Sequence, residues 1–332
     1  MKRLLITGGA GLIGSNLVHA LIQRREYRIK VIDNLWRGRK ENLPENKELV
    51  FDIKRDFFQL DLTEYANCEC VTKDVDLIVH LADIVAGIGY VFGNEYSLYQ
   101  ENTRINSNLL KAAISNGVGK ILYVGTACSY PASKQREVTE VLLKEEDVYP
   151  AEPESAYGWS KLMGEYELGL ATDEGLVDST ILRLHNVYGP RCDIDPKRSQ
   201  VIPALCRKAV EYPESEFLVW GSGQQRRAFV FVSDVVDAIL SALDRGFGHG
   251  VIQIGASKSF AIGEIAEEIV RISEKDIEIK YDESRPEGDI DRKADYSKAR
   301  DVLGWEPKVG IDEGLARTYR WVSRQLKNLI ND

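Results

Sequence analysis

The sequence predicts an α/β protein, a doubly wound parallel sheet carrying a smaller α/β lobe, and three observations predict it. Short β-rich runs alternate with amphipathic stretches through the first half of the chain; a glycine cluster sits at the first strand-to-helix turn; and after Leu184 the texture changes to loops and short strands. Such alternation builds βαβ units, whose crossovers are right-handed and whose strands pair in parallel.

The first-half strands are expected at residues 3–7, 28–32, 77–80, 121–124 and 179–183, each short and rich in Val, Ile and Leu. Between them, residues 12–24, 97–115 and 157–171 carry apolar side chains at spacings of three and four, the period of a helix with one buried face. Beyond residue 184, strands are expected at 217–220, 229–232, 252–254 and 277–281, and helices at 202–210, 234–244, 262–273 and 312–330. No repeat or low-complexity linker separates the halves, so the lobes are expected to interleave: residues 1–183 with a returning segment at about 230–257 as one domain, residues 184–229 and 258–332 as the other.

The 332 residues are 44% hydrophobic and 29% charged, an ordinary globular balance with length enough for two lobes. A net charge of −9, with no basic block longer than Trp36-Arg37-Gly38-Arg39-Lys40, disfavours nucleic-acid and anionic-membrane partners. The N-terminal apolar run ends at Gly8-Gly9 and reads as a strand, not a signal peptide. No stretch approaches the roughly 18 to 20 apolar residues of a membrane span, and a cytoplasmic location is expected. Five cysteines, an odd number, suit reduced thiols. Cys68-x-Cys70 has no second pair at metal-site spacing, so it is read as a surface loop, and no metal is expected.

Thr7-Gly8-Gly9-Ala10-Gly11-Leu12-Ile13-Gly14 follows the first strand and opens the first helix. Glycines there admit a pyrophosphate against the backbone, and the helix N-terminus offers free N–H groups and a positive dipole end. Asp33 ends the next strand 19 residues past Gly14. A carboxylate at that point accepts from both adenosine ribose hydroxyls and repels a 2′-phosphate, favouring NAD over NADP, although Arg37 and Arg39 lie close in sequence. Asp61-Leu62 is placed to flank the adenine. These features make the sheet Rossmann-like.

Tyr157-Gly158-Trp159-Ser160-Lys161 sets a phenol and an ammonium four residues apart, on one helix face. Lys161 is expected to lower the pKa of Tyr157, which can then move a proton on and off a sugar hydroxyl. Thr126 ends the preceding strand and completes the set.

Thr7–Gly14, Asp33, His80-Leu81-Ala82, Tyr157/Lys161, Asn186-Val187-Tyr188-Gly189-Pro190 and Leu303-Gly304-Trp305-Glu306-Pro307 together resemble the extended short-chain dehydrogenase/reductase family of NAD-dependent nucleotide-sugar epimerases and dehydratases. The likeness spans essentially the whole chain. It implies that Gly8, Gly11, Leu12, Ile13, Asp33, Asn34, Asp61, Leu62, Leu81 and Ala82, with Tyr157 and Lys161, hold NAD, and that the later lobe binds a nucleotide-diphosphate sugar. It also implies a homodimer through a bundle of helices 97–115 and 157–171 from two subunits.

Within that family, dehydratases carry a glutamate two residues after the catalytic Thr; here that position is Cys128, preceded by Ala127. A cysteine there resembles the GDP-mannose 3,5-epimerase branch. So do Ala86-Gly87-Ile88-Gly89-Tyr90, Lys134-Gln135, Tyr149-Pro150-Ala151-Glu152-Pro153, Cys206-Arg207-Lys208-Ala209 and Pro286-Glu287-Gly288. By that resemblance Thr126, Cys128, Tyr157 and Lys161 are catalytic; Gly87, Ile88, Gly89 and Asn186 contact substrate; and Arg227 and Arg292 clamp the diphosphate, for which a guanidinium fork is suited. The branch uses a second acid/base lysine where this chain has Gln200, which cannot shuttle a proton; Lys197 and Arg198 are the nearby cations. The alternatives are a C4-epimerase or 4-dehydrogenase of a nucleotide hexose or heptose, and a catalytically silent NAD-sensing regulator.

Overall fold

The computed structural model describes residues 1–47, 50–135, 142–285, 288 and 290–331. Pro286 and Glu287, two of the three residues in one of the resembling segments, lie outside the described residues.

Seven parallel strands form the central sheet: β1 (Lys2–Thr7), β2 (Tyr27–Ile32), β3 (Phe57–Phe58), β4 (Leu77–His80), β5 (Lys120–Thr126), β6 (Asp178–Leu184) and, from much later in the chain, Gly250–Ile254. Their order is β3-β2-β1-β4-β5-β6 followed by the Gly250–Ile254 strand, so the topology reverses between β1 and β4. At such a switch point the loops leaving the carboxyl ends of two neighbouring strands part company, and a crevice opens between them. The expected doubly wound α/β fold is the fold observed.

The strands are apolar on both faces because both faces are covered. Leu4, Ile6, Val31 and Val79 point to one side, where α1 (Leu12–Arg24) packs. Leu5, Ile32, Ile78, Ile121 and Tyr123 point to the other, against α2 (Tyr65–Thr72), α4 (Glu95–Ser115) and α5 (Ala156–Asp173), with the short α3 (Ile88–Gly93) leading into α4. The pair α4 and α5 carries exposed Tyr96, Tyr99, Trp159, Tyr166 and Leu170 on its outer surface.

From Leu184 the chain leaves the sheet as β7 (Asn186–Tyr188), α6 (Val201–Glu211), β8 (Phe217–Trp220) and β9 (Phe229–Phe231), returns as α7 (Val232–Arg245) and β10 (Gly250–Ile254), and leaves again as α8 (Ile262–Ser273), β11 (Ile279–Asp282), α9 (Ser297–Leu303) and α10 (Ile311–Asn331). β8 pairs in parallel with β11, and β9 with β7. Tyr188, Ile202, Cys206, Phe217, Phe231, Ile265 and Leu315 build a separate core there. Among the described residues no helix is long and apolar enough to cross a membrane.

The structure corrects the sequence reading in one place and adds two short helices that it did not anticipate. Residues 68–70 are not in a surface loop but in α2, where positions two apart face opposite ways: the Cys68 thiol is buried and donates to Leu62 O, while Cys70 is exposed. Gly87-Ile88-Gly89 is the start of a helix, α3, too short and too glycine-rich to show a period. α9 was hidden because its seven residues, ending at Gly304 with φ of +61°, span barely two turns.

Candidate active site

The crevice at the switch point opens into a cavity of about 1370 Å³ that runs between the sheet and the later lobe. Its floor is the glycine turn. Gly8 has φ of +65°, and a Cβ there would sit 2.9 Å from Ala82 N. A Cβ on Gly14 would sit 2.4 Å from Gly8 O. Only glycines let β1, α1 and the segment after β4 come this close.

The turn is braced from β4. Thr7 Oγ1 accepts from Leu81 N (3.1 Å) and Ala82 N (3.0 Å) and donates to His80 Nδ1 at 2.7 Å. His80 Nε2 then donates to Asn106 Oδ1 at 3.0 Å, so the ring is neutral with its proton on Nε2. Burial is the first cause that pushes this imidazole down to about 3.

At the end of β2, Asp33 is buried, its oxygens accepting from Ala10 N (3.0 Å) and Leu35 N (2.8 Å). Burial raises its carboxyl above the ordinary range, the two backbone donors opposing. Asn34 Nδ2 donates to Asp61 Oδ2 (3.1 Å), and Thr63 donates to Asp61 Oδ1 from N and Oγ1. Arg37 is turned away from Asp33: its Nη1 donates to Val85 O (2.7 Å) and its Nε lies 3.6 Å from Asp193 Oδ2.

Beyond the turn, Gly125 and Thr126 end β5, and Thr126 Oγ1 accepts from Cys128 N at 3.2 Å. The start of α5 presses on this corner: a Cβ on Gly158 would be 2.2 Å from Cys128 O. Thr126, Cys128, Tyr157 and Lys161 therefore line one wall of the cavity together. Lys161 Nζ lies 4.3 Å from the Tyr123 ring centroid and 3.3 Å from Asp83 Oδ2. The expected effect of Lys161 on Tyr157 is outweighed. Burial and then the Asp83 carboxylate hold the phenol well above its ordinary range, against the opposing pull of Lys161.

Asp83 is the site residue that sequence reasoning missed. The available signal was an acid directly after Leu81-Ala82, at the carboxyl end of a buried parallel strand on the switch point. Gln135 was noted only as part of a resembling segment; its Oε1 accepts from Arg292 Nε.

Gly87, Ile88, Gly89, Asn186, Gln200, Lys197 and Trp220 line the same cavity. Arg292 and Arg227 both line the cavity. Arg292 Nη1 is 3.2 Å from Cys128 Sγ, and Arg227 is near enough to Arg292 for burial and then that neighbour to lower it to about 10. Arg198 is engaged by Asp193 (3.4 Å) and Asp195 (3.2 Å). Gln200 sits at the N-terminus of α6.

A Rossmann-like crevice lined by the glycine turn, with Tyr157 and Lys161 bordering it, is the architecture of a dinucleotide-binding site. The chain belongs to the NAD-dependent epimerase/dehydratase family, whose pattern matches residues 4–255. It is 34% identical to GDP-mannose 3,5-epimerase of Arabidopsis thaliana over 98% of this chain and 83% of that one. It is also 34% identical to UDP-glucuronic acid decarboxylase 6 of the same plant, over 94% and 86%. Among solved structures, UDP-glucose 4-epimerase of Thermotoga maritima matches with a TM-score of 0.86 at 29% identity, over 98% and 99% of the two chains. The cofactor is NAD, and the cradle fits it: Gly8, Gly11 and Gly14 line the cavity with bare backbone that a pyrophosphate can approach, and Asp33 keeps acceptor capacity for ribose hydroxyls.

Proposed function

We propose that this protein is an NAD-dependent nucleotide-sugar epimerase that works through a transient 4-keto sugar, with GDP-mannose as its substrate and C3, C5 or both as the centres inverted. The observation that carries the reading is the Cys128 thiol, which lines the same cavity as Tyr157 and Lys161 and lies within 3.2 Å of Arg292 Nη1. Similarity to a GDP-mannose 3,5-epimerase over nearly the full chain supports it. In the division of labour we propose, residues 1–183 and about 230–257 hold NAD, while 184–229 and 258–332 hold the nucleotide sugar.

Bound NAD supplies a hydride acceptor for the sugar and the donor for its return. Tyr157 takes the C4 hydroxyl proton and later gives it back, with Thr126 and Lys161 orienting the group. While C4 is a ketone, the C3 and C5 hydrogens are acidified. Cys128, oriented by Arg292 and by the hydrogen bond from its own N–H to Thr126, removes or returns one of these protons. Asn186, Ile88 and the backbone at Gly87 and Gly89 border the sugar and its phosphates, and Arg227 adds positive charge near them.

Inversion also needs a proton donor on the other face of the ring. Gln200 cannot serve, and Arg198 is committed to Asp193 and Asp195; of the amines bordering the cavity, Lys161 is set against Asp83 and Lys208 donates to Leu218 O, so we assign the part to Lys197. The glutamine at position 200 favours one second reading, a C4-epimerase or 4-dehydrogenase in which Cys128 only shapes the pocket. The exposed aromatic residues of α4 and α5 support a homodimer through these helices, and we place the enzyme in the cytoplasm.

A panel of nucleotide sugars incubated with the protein in deuterated water, with products read by mass and NMR, tests this. GDP-mannose should turn over with deuterium at C3 or C5. Turnover without carbon-bound deuterium moves the protein to the 4-epimerase reading, and a new C6 methyl signal moves it to the dehydratases.

A further inference from the structure

The Lys161 ammonium has a counter-charge inside the site. Asp83, on the segment leaving β4, puts Oδ2 3.3 Å from Lys161 Nζ, and the two side chains are 5% and 3% exposed. Neither Asp83 oxygen has a hydrogen bond of good geometry among the described residues, and the carboxylate borders the cavity facing Tyr157. A buried ammonium is costly without an opposite charge, and a buried carboxylate equally so. The pair therefore stands or falls together.

We propose that Asp83 is a positioning residue for the reaction: its buried carboxylate fixes the Lys161 ammonium beside Tyr157 and balances that ammonium's charge. The proposal rests on Tyr157 being the acid/base group of the reaction proposed above. Other charged and titratable groups face this pair. Tyr123 comes from β5, Cys128 from the turn after it, His80 from β4 and Arg37 from the segment after β2. His80 is held neutral, and Arg37 is committed to Asp193 and Val85 O, so Asp83 is the anion set directly against the ammonium. The consequence is a phenol that keeps its proton in the free protein. Burial already favours the protonated phenol, and Asp83 adds to it against the pull of Lys161, so ionisation waits for charge brought by the ligands.

The test reads Tyr157 in the free protein. Tyrosinate absorbance is followed with rising pH for each protein and for its Tyr157→Phe counterpart, and the difference isolates the Tyr157 step. In otherwise wild-type protein the step should lie above about pH 10, the ordinary phenol value; a step below it overturns the proposal with no change made at residue 83. In Asp83→Asn the step should fall by about 1 to 3 pH units, the usual effect of one charge at this range, while Asp83→Glu should keep it near wild type. An Asp83→Asn step that does not move, or a Glu variant that shifts as far as Asn, overturns the assignment. The alkaline limb of the turnover profile should move with the step. Because the titration needs neither sugar nor turnover, it stands even where the deuterium experiment rejects the 3,5-epimerase reading.

Discussion

Arg292 and Cys128, 164 residues apart in the chain, meet at 3.2 Å between Nη1 and Sγ. The arginine that resemblance assigns to the diphosphate is thus at the thiol, and Gln135 holds its Nε from behind. Replacing Cys128 by Ala should leave NAD binding intact, because the cradle lies elsewhere. Deuterium incorporation at C3 and C5 should fall by ~10² to 10⁴, the usual contribution of a general acid/base. Arg292→Met should lower the same exchange with Cys128 still present. Full exchange in the Cys128 variant would remove the thiol from the chemistry.

Gly158 deserves substitution for a purely steric reason. A Cβ there would meet Cys128 O at 2.2 Å and Pro153 Cβ at 2.9 Å, so either α5 or the Cys128 turn must shift. Gly158→Ala should cost about 1 to 3 kcal/mol of stability, the range for overpacking, and lower turnover by about 10², the effect of a 1 Å misplacement. Thermal unfolding and kcat together check this; an alanine accepted without loss in either would contradict the geometry.

Coenzyme choice follows from where the charges near β2 point. Asp33 faces the cavity, whereas Arg37 is tied to Val85 O and Asp193. The protein should bind NAD more tightly than NADP, and Asp33→Ser should narrow the difference by about tenfold or more, which corresponds to 1.4 kcal/mol. Calorimetric dissociation constants for both coenzymes decide it. Equal affinity in the wild type would mean that Asp33 does not face the ribose.

Two buried histidines set an acid limit. Burial holds His80 and His185 down to about 3 from an ordinary value of 6.5. The unfolded chain takes up their protons below about pH 6.5 while the folded chain does not, so their contribution is full above that pH. It is lost as pH falls from 6.5 toward 3, at up to about 1.4 kcal/mol per pH unit for each ring. Melting temperature should therefore drop across this window, and His185→Gln should flatten the drop; an unchanged slope in that variant would exclude His185 as a cause.

The central sheet and the glycine turn were legible in the sequence because each is written locally. A parallel strand covered on both faces is an apolar run, and Gly8–Gly14 lies within one turn of chain. Tyr157 and Lys161 were legible for the same reason, sharing a helix face. Asp83, Gln135 and the contact of Arg292 with Cys128 were not, since each depends on contacts across 78 to 164 residues of chain that no period or spacing encodes. Lys161 does pull Tyr157 down, as its place one turn along the same helix predicts, but burial first and Asp83 second outweigh it, and neither is written in local spacing.

The edge strand Gly250–Ile254 pairs with β6 from Gly250↔Thr180 to Ile254↔Leu184, although β7, α6, β8 and β9 intervene. Anyone exchanging the later lobe for that of a relative must therefore cut and rejoin at three seams, one after β6 and one on either side of the returning α7 and β10. A gene fragment stopping short of residue 250 would carry every glycine of the cradle and still present β6 as a raw edge, open to pairing with another copy of itself.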